Sequence, residues 1–148
     1  SVHRLLISNA SFDQVSGVRR LLRNPARYQP LGEGLVLDRL DLGGLRFASV
    51  EFRQCDFSGT LFDASEFSNC RFVNCNFRGC DLRKAEIRDS AFAGCNFSYA
   101  DFKEASLQDT DIGNSNFQNA RIAVEQLKRA KGWESAVYGD ELRTELGL

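Results

Sequence analysis

The chain has 148 residues and is almost neutral, with 19 Lys and Arg, 20 Asp and Glu, and a net charge of −1. Charges of both signs are interspersed, so the sequence lacks the basic surface typical of proteins that bind nucleic acid or anionic membranes. No apolar run approaches the length needed to span a bilayer. We therefore expect neither nucleic acid nor a membrane as a direct partner.

Residues 1–34 predict an N-terminal cap with one helix. Between Phe12 and Asn24, apolar residues recur at helical spacing, and Pro25 lies just beyond the end of this segment. Ile7 and Phe12 also fit the five-residue phase of the next region, but the phase is then lost.

Residues 35–122 have a period of five. All twelve phenylalanines of the chain lie at positions whose numbers end in 2 or 7. Eighteen consecutive anchor positions, from Leu37 to Ile122, are large and apolar. Two residues before the anchors, the fourteen positions from Cys55 to Ala120 hold only Cys, Thr, Ser or Ala. A period of five fits neither a helix nor an isolated strand, so each unit must turn the chain through a corner.

Four such units close a square coil of twenty residues with the anchors and the small residues pointing inward. Residues 35–122 therefore predict an all-β solenoid, a quadrilateral β-helix of about four and a half stacked coils. In the first coil the small slots hold Leu35, Leu40, Leu45 and Val50. This favours a wider coil filled from within over a ligand cavity.

The repeat unit resembles that of a known family. Residues 75–79 (CNFRG), 80–84 (CDLRK) and 100–104 (ADFKE) each read as a small residue, Asp or Asn, Leu or Phe, and two variable residues. This order is similar to that of the pentapeptide-repeat family. The resemblance implies a right-handed quadrilateral β-helix and a function based on binding other proteins.

Residues 123–148 predict a C-terminal helical cap. Val124, Leu127 and Ala130 recur at helical spacing, Gly132 follows as a stop, and a second short helix is expected from Asp140. Both ends of a β-helix expose unpaired strand edges, which need a cover. We expect the tail to cap the rod and to support weak homodimerisation through its apolar residues, which are Trp133, Val137, Leu142, Leu146 and Leu148.

The five cysteines all occupy small inward slots, and Cys55, Cys75 and Cys95 belong to one column. Neighbouring coils lie about 4.8 Å apart, farther than the roughly 3.8 Å between Cβ atoms in a disulfide, so we expect free, buried thiols. With one histidine in the chain and no CxxC pair, no metal site is predicted. Reduced thiols favour a cytoplasmic location. The chain contains no Met, so it is expected to be a processed form or a fragment.

The sequence gives no indication of catalysis, and no catalytic or cofactor-binding residue is predicted. Asp56, Asp81, Asp101 and Asp111 occupy the outward slot before an anchor, where a turn-stabilising carboxylate is the expected role. The column of Asn76, Asn96 and Asn116 is interpreted likewise, as an amide ladder. We predict that the protein is not an enzyme.

The leading hypothesis is a non-enzymatic protein-interaction module that presents flat solenoid faces to a protein partner. One face carries small, uncharged outward residues in neighbouring coils, which are Val73, Ala91, Ala93, Gly94 and Gly113. Such a patch suits contact with another protein or self-association, although small residues scattered over a turn-rich surface are the simpler interpretation.

The alternative hypothesis is a DNA mimic that binds DNA gyrase. The family resemblance implies this alternative, because the quinolone-resistance members of the pentapeptide-repeat family act in this way. Mimicry of DNA requires continuous columns of acidic residues. The most acidic column here is interrupted twice, since it consists of Asp41, Leu61, Asp81, Asp101 and Arg121.

Overall fold

The computed structural model of the chain describes residues 3–7, 16, 18 and 28–148. Within these residues the predicted all-β solenoid is confirmed. Parallel backbone bridges join positions twenty residues apart, and one series links Val36, Asp56, Asn76, Asn96 and Asn116 in four successive steps. One turn of the coil therefore takes four five-residue units.

Parallel strands form two sheets along the coil. The larger sheet has the order β1-β2-β4-β6-β8, and its strands are His3–Ile7 (β1), Tyr28–Glu33 (β2), Glu51–Arg53 (β4), Arg71–Val73 (β6) and Ala91–Ala93 (β8). The smaller sheet has the order β3-β5-β7, with strands Arg46–Ala48 (β3), Glu66–Ser68 (β5) and Glu86–Arg88 (β7). We number the coil faces by their anchors: face 1 contains Phe57 and Phe77, face 2 contains Phe62 and Leu82, face 3 contains β3, β5 and β7, and face 4 contains β4, β6 and β8.

The five-residue unit adopts two conformations, a turn and a short strand, and the residue type before the anchor differs between them. On faces 1 and 2 this residue is often Asp or Asn, whose Oδ1 accepts a hydrogen bond from a backbone N–H two residues later. Arg78 N–H donates to Asn76 in this way at 3.0 Å. The strand units of faces 3 and 4 have Glu, Arg or Ala in the slot. Asp and Asn stabilise turns by this bond, so the predicted turn role of these side chains agrees with the geometry.

Stacked phenylalanine rings fill the interior. Phe57, Phe77, Phe97 and Phe117 form one column in which adjacent ring centroids lie 5.0, 4.8 and 5.1 Å apart and the planes are within 14° of parallel. Rings of neighbouring columns meet edge to face, as at Phe72 and Phe77, 5.3 Å apart. Stacked contacts within a column and edge contacts between columns together hold the rings in close contact.

The small inward slots also satisfy backbone carbonyl groups. The Cys80 thiol donates to the carbonyl oxygen of Phe57 in the coil below at 2.9 Å, and Ser65 and Ser115 make the equivalent bond at 2.9 Å. Cys, Ser and Thr therefore suit the slot because they are small and can donate a hydrogen bond. In the first coil Leu35 and Val50 are buried and fill the interior, as predicted, whereas Leu45 is half-buried.

The N-terminal region extends the larger sheet rather than forming only a helical cap. Strand β2 pairs with β4 in the twenty-residue register, and β1 pairs with β2 at a spacing of 25 residues. The predicted helix is described at only two positions, Ser16 and Val18, which are helical, with Val18 buried; its remainder lies outside the described residues. The repeat pattern missed β2 because Gly32 stands in an anchor position. A Cβ there would lie 2.7 Å from Cδ1 of Phe52, so the ring of the next coil occupies the space.

The C-terminal region contains helix α1 (Val124–Lys128), a 3₁₀ turn (Trp133–Ser135) and helix α2 (Asp140–Leu146). The coil pairing continues through it, because Lys131 bridges to Asp111 and Val137 bridges to Asn116. Leu127 keeps the five-residue phase and is fully buried. The predicted helices are therefore present, and the chain between them forms a further, modified turn of the solenoid.

Candidate functional site

The structure brings the five predicted patch residues together on face 4. Val73 ends β6, Ala91 and Ala93 begin and end β8, Gly94 is at the following corner, and Gly113 lies one coil above Ala93 in the twenty-residue register. Ala93 and Gly94 are exposed, and the other three are half-buried. We call this set the face 4 patch.

Charged residues border the patch below. Glu51, in the outward slot of β4, is only 1% exposed and forms ion pairs with Arg53 at 3.1 Å and Arg71 at 3.6 Å. Both arginine side chains remain substantially exposed. A buried carboxylate with two basic neighbours fixes the lower edge of the patch, since separating it from them would leave a charge without compensation.

The C-terminal region borders the patch above. Gly113 N–H donates to Asp111 Oδ1 at 2.9 Å, which makes this unit a turn although it lies on face 4. Gly132 packs against Gly113, and Ser135 lies beside it. Gly113 therefore forms the upper edge of the patch and is half-buried, as are Val73 and Ala91.

Gly94 keeps the corner of the patch flat. Its φ of +62° lies in the left-handed region, and a Cβ would lie 2.6 Å from Oδ1 of Asn74 in the coil below. The Asn74 side chain therefore uses the space that a larger residue at position 94 would require. Glycine satisfies both the backbone conformation and this close approach.

The predicted tail residues divide into two groups. Leu146 is buried, and Trp133 and Leu142 are partly buried against the core, so their apolar surface is used mainly within the chain. Val137 and Leu148 stay 45% and 43% exposed. The capping part of the prediction agrees with this packing, and the homodimer through the tail stays a prediction.

Tyr138 is the capping residue that the sequence analysis missed. Its ring stacks on Phe117 at 6.0 Å and continues the phenylalanine column, and its hydroxyl donates to the carbonyl oxygen of Trp133. The signal was present, because Ala136, Val137 and Tyr138 repeat the order small, outward, large. One extra residue places this unit out of phase, since Val137 bridges to Asn116 across 21 positions.

The five cysteines are free and buried, as predicted. Burial raises the pKa of the Cys70 thiol to about 11 and that of Cys80 to about 12. Thiols with such pKa values stay protonated at neutral pH and react slowly. Among the described residues, no group of three or more His, Cys, Asp or Glu side chains is arranged to hold a metal ion.

The raised pKa of Cys80 predicts a loss of stability at alkaline pH. In the unfolded chain the thiol ionises from about pH 9, whereas in the folded chain it stays neutral up to about pH 12. The free energy of unfolding therefore falls as pH rises above 9, by up to about 1.4 kcal/mol per pH unit for this thiol. Cys80→Ser keeps the hydrogen bond to the coil below and should lose less stability between pH 7 and pH 10 in urea unfolding. Equal losses in both proteins would contradict the burial of the thiol.

A family model described as a pentapeptide repeat region matches residues 45–130, which is more than half of the chain. The chain belongs to the pentapeptide-repeat family. No curated protein matches the sequence. Pentapeptide-repeat proteins are in general structural or interaction folds rather than enzymes.

Solved structures of other pentapeptide-repeat proteins are similar to this one. HetL from the cyanobacterium Nostoc sp. strain PCC 7120, involved in the regulation of heterocyst differentiation, matches with a TM-score of 0.59 and 16% identity over 64% of this chain and 43% of its own length. A trypsin-treated variant of QnrB1, a plasmid-mediated fluoroquinolone resistance protein, matches with a TM-score of 0.47 and 17% identity over 74% of this chain and 68% of its own. Rfr23 from the cyanobacterium Cyanothece 51142 matches with a TM-score of 0.38 and 14% identity over 74% and 88%. At such identities, the HetL match supports the fold alone.

No helix among the described residues of this pentapeptide-repeat protein is long and apolar enough to cross a bilayer.

Proposed function

We propose that this pentapeptide-repeat protein is a non-enzymatic module that binds a protein partner through the face 4 patch. The observation that carries the proposal is the set of small, uncharged outward side chains that Val73, Ala91 and Ala93 present on adjacent strands β6 and β8. Small outward side chains let another surface approach closely, and they lose little conformational entropy when they are covered.

The backbone of the patch is held rigidly. Strand β8 pairs with β6 below it, and Ala91 bridges to Asp111 above it. Phe72 and Phe92 are buried behind the two strands, with their rings stacked 4.8 Å apart. A surface that is ordered before binding avoids most of the entropy cost of ordering it in the complex.

Face 2 offers a contrasting surface. Its outward residues carry charges of both signs, and a shallow depression there is lined by Asp63, Ala64, Arg83, Lys84, Lys103 and Glu104. Covering such groups requires matching charges on the partner, since desolvating them is costly. Face 4 carries its charges only at the borders of the patch, which favours it as the docking surface.

Capture from a lysate of the native host tests the proposal. The immobilised parent chain should retain a specific protein, and Ala93→Arg should lose it because a long charged side chain then stands in the middle of the patch. Ser68→Arg is the matched control, because Ser68 ends β5 on face 3 just as Ala93 ends β8 on face 4. Retention of the same protein by the Ala93→Arg variant would overturn the assignment to face 4.

The charge pattern does not favour the alternative of a DNA mimic. Arg83 binds the Asp81 carboxylate with two hydrogen bonds, at 2.8 and 2.7 Å, and Arg121 lies 3.7 Å from Asp101. The side-chain hydrogen bond from Arg83 lowers the pKa of Asp81. Two carboxylates of the most acidic column are thus paired with basic groups, which reduces the negative field that mimicry of DNA requires. A gyrase supercoiling assay with a fluoroquinolone tests this alternative, since a DNA mimic should protect the enzyme.

We also propose a cytoplasmic location and a structural division at residues 34 and 122. The five reduced thiols support a reducing compartment. The division follows the repeat phase, although backbone pairing crosses both boundaries, at β2 and at Lys131.

A further inference from the structure

The charges beside the face 4 patch have an order that suits self-recognition. Arg71, Ala91 and Asp111 occupy one outward column and are joined by successive parallel bridges. Arg71 therefore lies one coil below Ala91, and Asp111 lies one coil above it. At the usual strand spacing each step is about 4.8 Å. A basic and an acidic residue thus each lie one coil from Ala91, on opposite sides of it.

In the second outward column of the patch, the side chains become smaller from the lower coil to the upper coil. Val73 lies one coil below Ala93, and Gly113 lies one coil above it. The column thus changes from a branched side chain to methyl to hydrogen. A rotation that exchanges the two ends of the patch places the largest side chain against the smallest, and the positive group against the negative one.

We infer that the protein partner of face 4 is a second copy of this chain, bound face to face about a two-fold axis that runs along the Ala91–Ala93 row. This inference rests on the proposed function, because it requires face 4 to be a docking surface. In such an isologous interface Arg71 meets the partner's Asp111, and the reciprocal contact forms as well. Val73 packs over the partner's Gly113, and Ala93 meets the partner's Ala93 at the axis.

The side chains that form these contacts are placed to do so. The Arg71 side chain is 64% exposed, and its contact with Glu51 of the coil below, at 3.6 Å, keeps it at the lower edge of the patch on face 4. Asp111 is exposed and is oriented by its hydrogen bond from Gly113. The patch has far fewer residues than the roughly 20–30 that each partner contributes to a standard interface, so the dimer is weak. Its solvent-exposed ion pairs also make it sensitive to salt.

Sedimentation velocity of the parent chain and two charge-reversal variants tests the inference, at concentrations from about 10 µM to about 1 mM, the range suited to a weak interface. The parent should dimerise with rising concentration. Arg71→Glu and Asp111→Arg should each weaken the dimer at least about tenfold, because each creates two like-charged contacts across the axis. An equimolar mixture of the two variants should associate again, since both contacts then join opposite charges. Recovery in the mixture also shows that both variants are folded.

Three further variants make the result specific. Ala93→Glu should also prevent association, because it brings two carboxylates together at the axis, and the exposed position makes misfolding no explanation. Arg46→Glu, in the equivalent slot of face 3, should leave the dimer unchanged. Val137→Asp should leave it unchanged as well, and loss of the dimer in that variant would assign self-association to the tail and overturn the inference.

A parent chain that stays monomeric at the highest concentration would overturn self-recognition. It would leave the proposed function intact, because capture of a different protein that Ala93→Arg abolishes tests that function independently. A parent that dimerises while the mixture of Arg71→Glu and Asp111→Arg does not would overturn the proposed geometry.

Discussion

Replacement of Phe77 by alanine is expected to lower the free energy of unfolding by about 3–5 kcal/mol, the usual cost of deleting a buried aromatic ring. Phe77 is 1% exposed, and its ring is stacked between Phe57 at 5.0 Å and Phe97 at 4.8 Å. The rings of Phe62, Phe72 and Phe92 surround it within 6.0 Å. The variant therefore removes contacts on every side of one ring.

The surrounding coils have little freedom to close the resulting cavity. Phe77 N–H donates to Asn96 O, and Phe57 N–H donates to Asn76 O, both at 2.7 Å, so backbone bonds fix the distance between coils. Phe77→Leu is the matched control, because leucine occupies the next anchor, Leu82, and fills most of the volume. We expect it to cost about 1–2 kcal/mol. Urea unfolding measures both, and a loss below about 1 kcal/mol for the alanine variant would contradict the stacked column.

The anchor positions of the repeat were predictable because a period of five leaves the chain few ways to bury its large residues. Every coil closes after four units, so a position modulo twenty gives the face of a residue as well as its inward or outward direction. This is why Val73, Ala91 and Ala93 were assigned to one face from sequence alone. The slot before the anchor also carries local information, since Asp111 forms a turn where Ala91 starts a strand.

The features that sequence missed depend on contacts between coils rather than on the repeat itself. Gly32 replaces an anchor because the ring of Phe52 occupies its space, and Tyr138 extends the Phe117 column after a one-residue insertion. Glu51 is buried although its slot points outward, and the repeat phase gives the direction of a side chain but not what packs over it. The edges of the face 4 patch were therefore visible only in the structure.

Truncation after Ile122 is expected to cause aggregation. Residues beyond it supply the carbonyl oxygens that accept from the backbone N–H groups of Ile112 and Phe117, through Lys131 at 2.9 Å and Val137 at 2.7 Å. They also supply the Gln126 side chain, which donates to the carbonyl oxygens of Phe102 and Ala105 at 2.6 and 2.8 Å. Their removal leaves an open strand edge and an uncovered Phe117 ring, and exposed edges of this kind pair with other chains.

A shorter truncation separates the modified turn from the final helix. Removal of residues 140–148 deletes α2, with Leu146 buried at 6% exposure, but retains Leu127, Lys131 and Tyr138. We expect this variant to lose stability and yet to elute without aggregates in size-exclusion chromatography with light scattering, because the strand edge and the phenylalanine column stay covered. If the chain truncated after Ile122 remains soluble and unfolds at the same temperature as the parent, then residues 123–138 do not seal the solenoid. Aggregation of both truncated chains would instead assign the seal to α2.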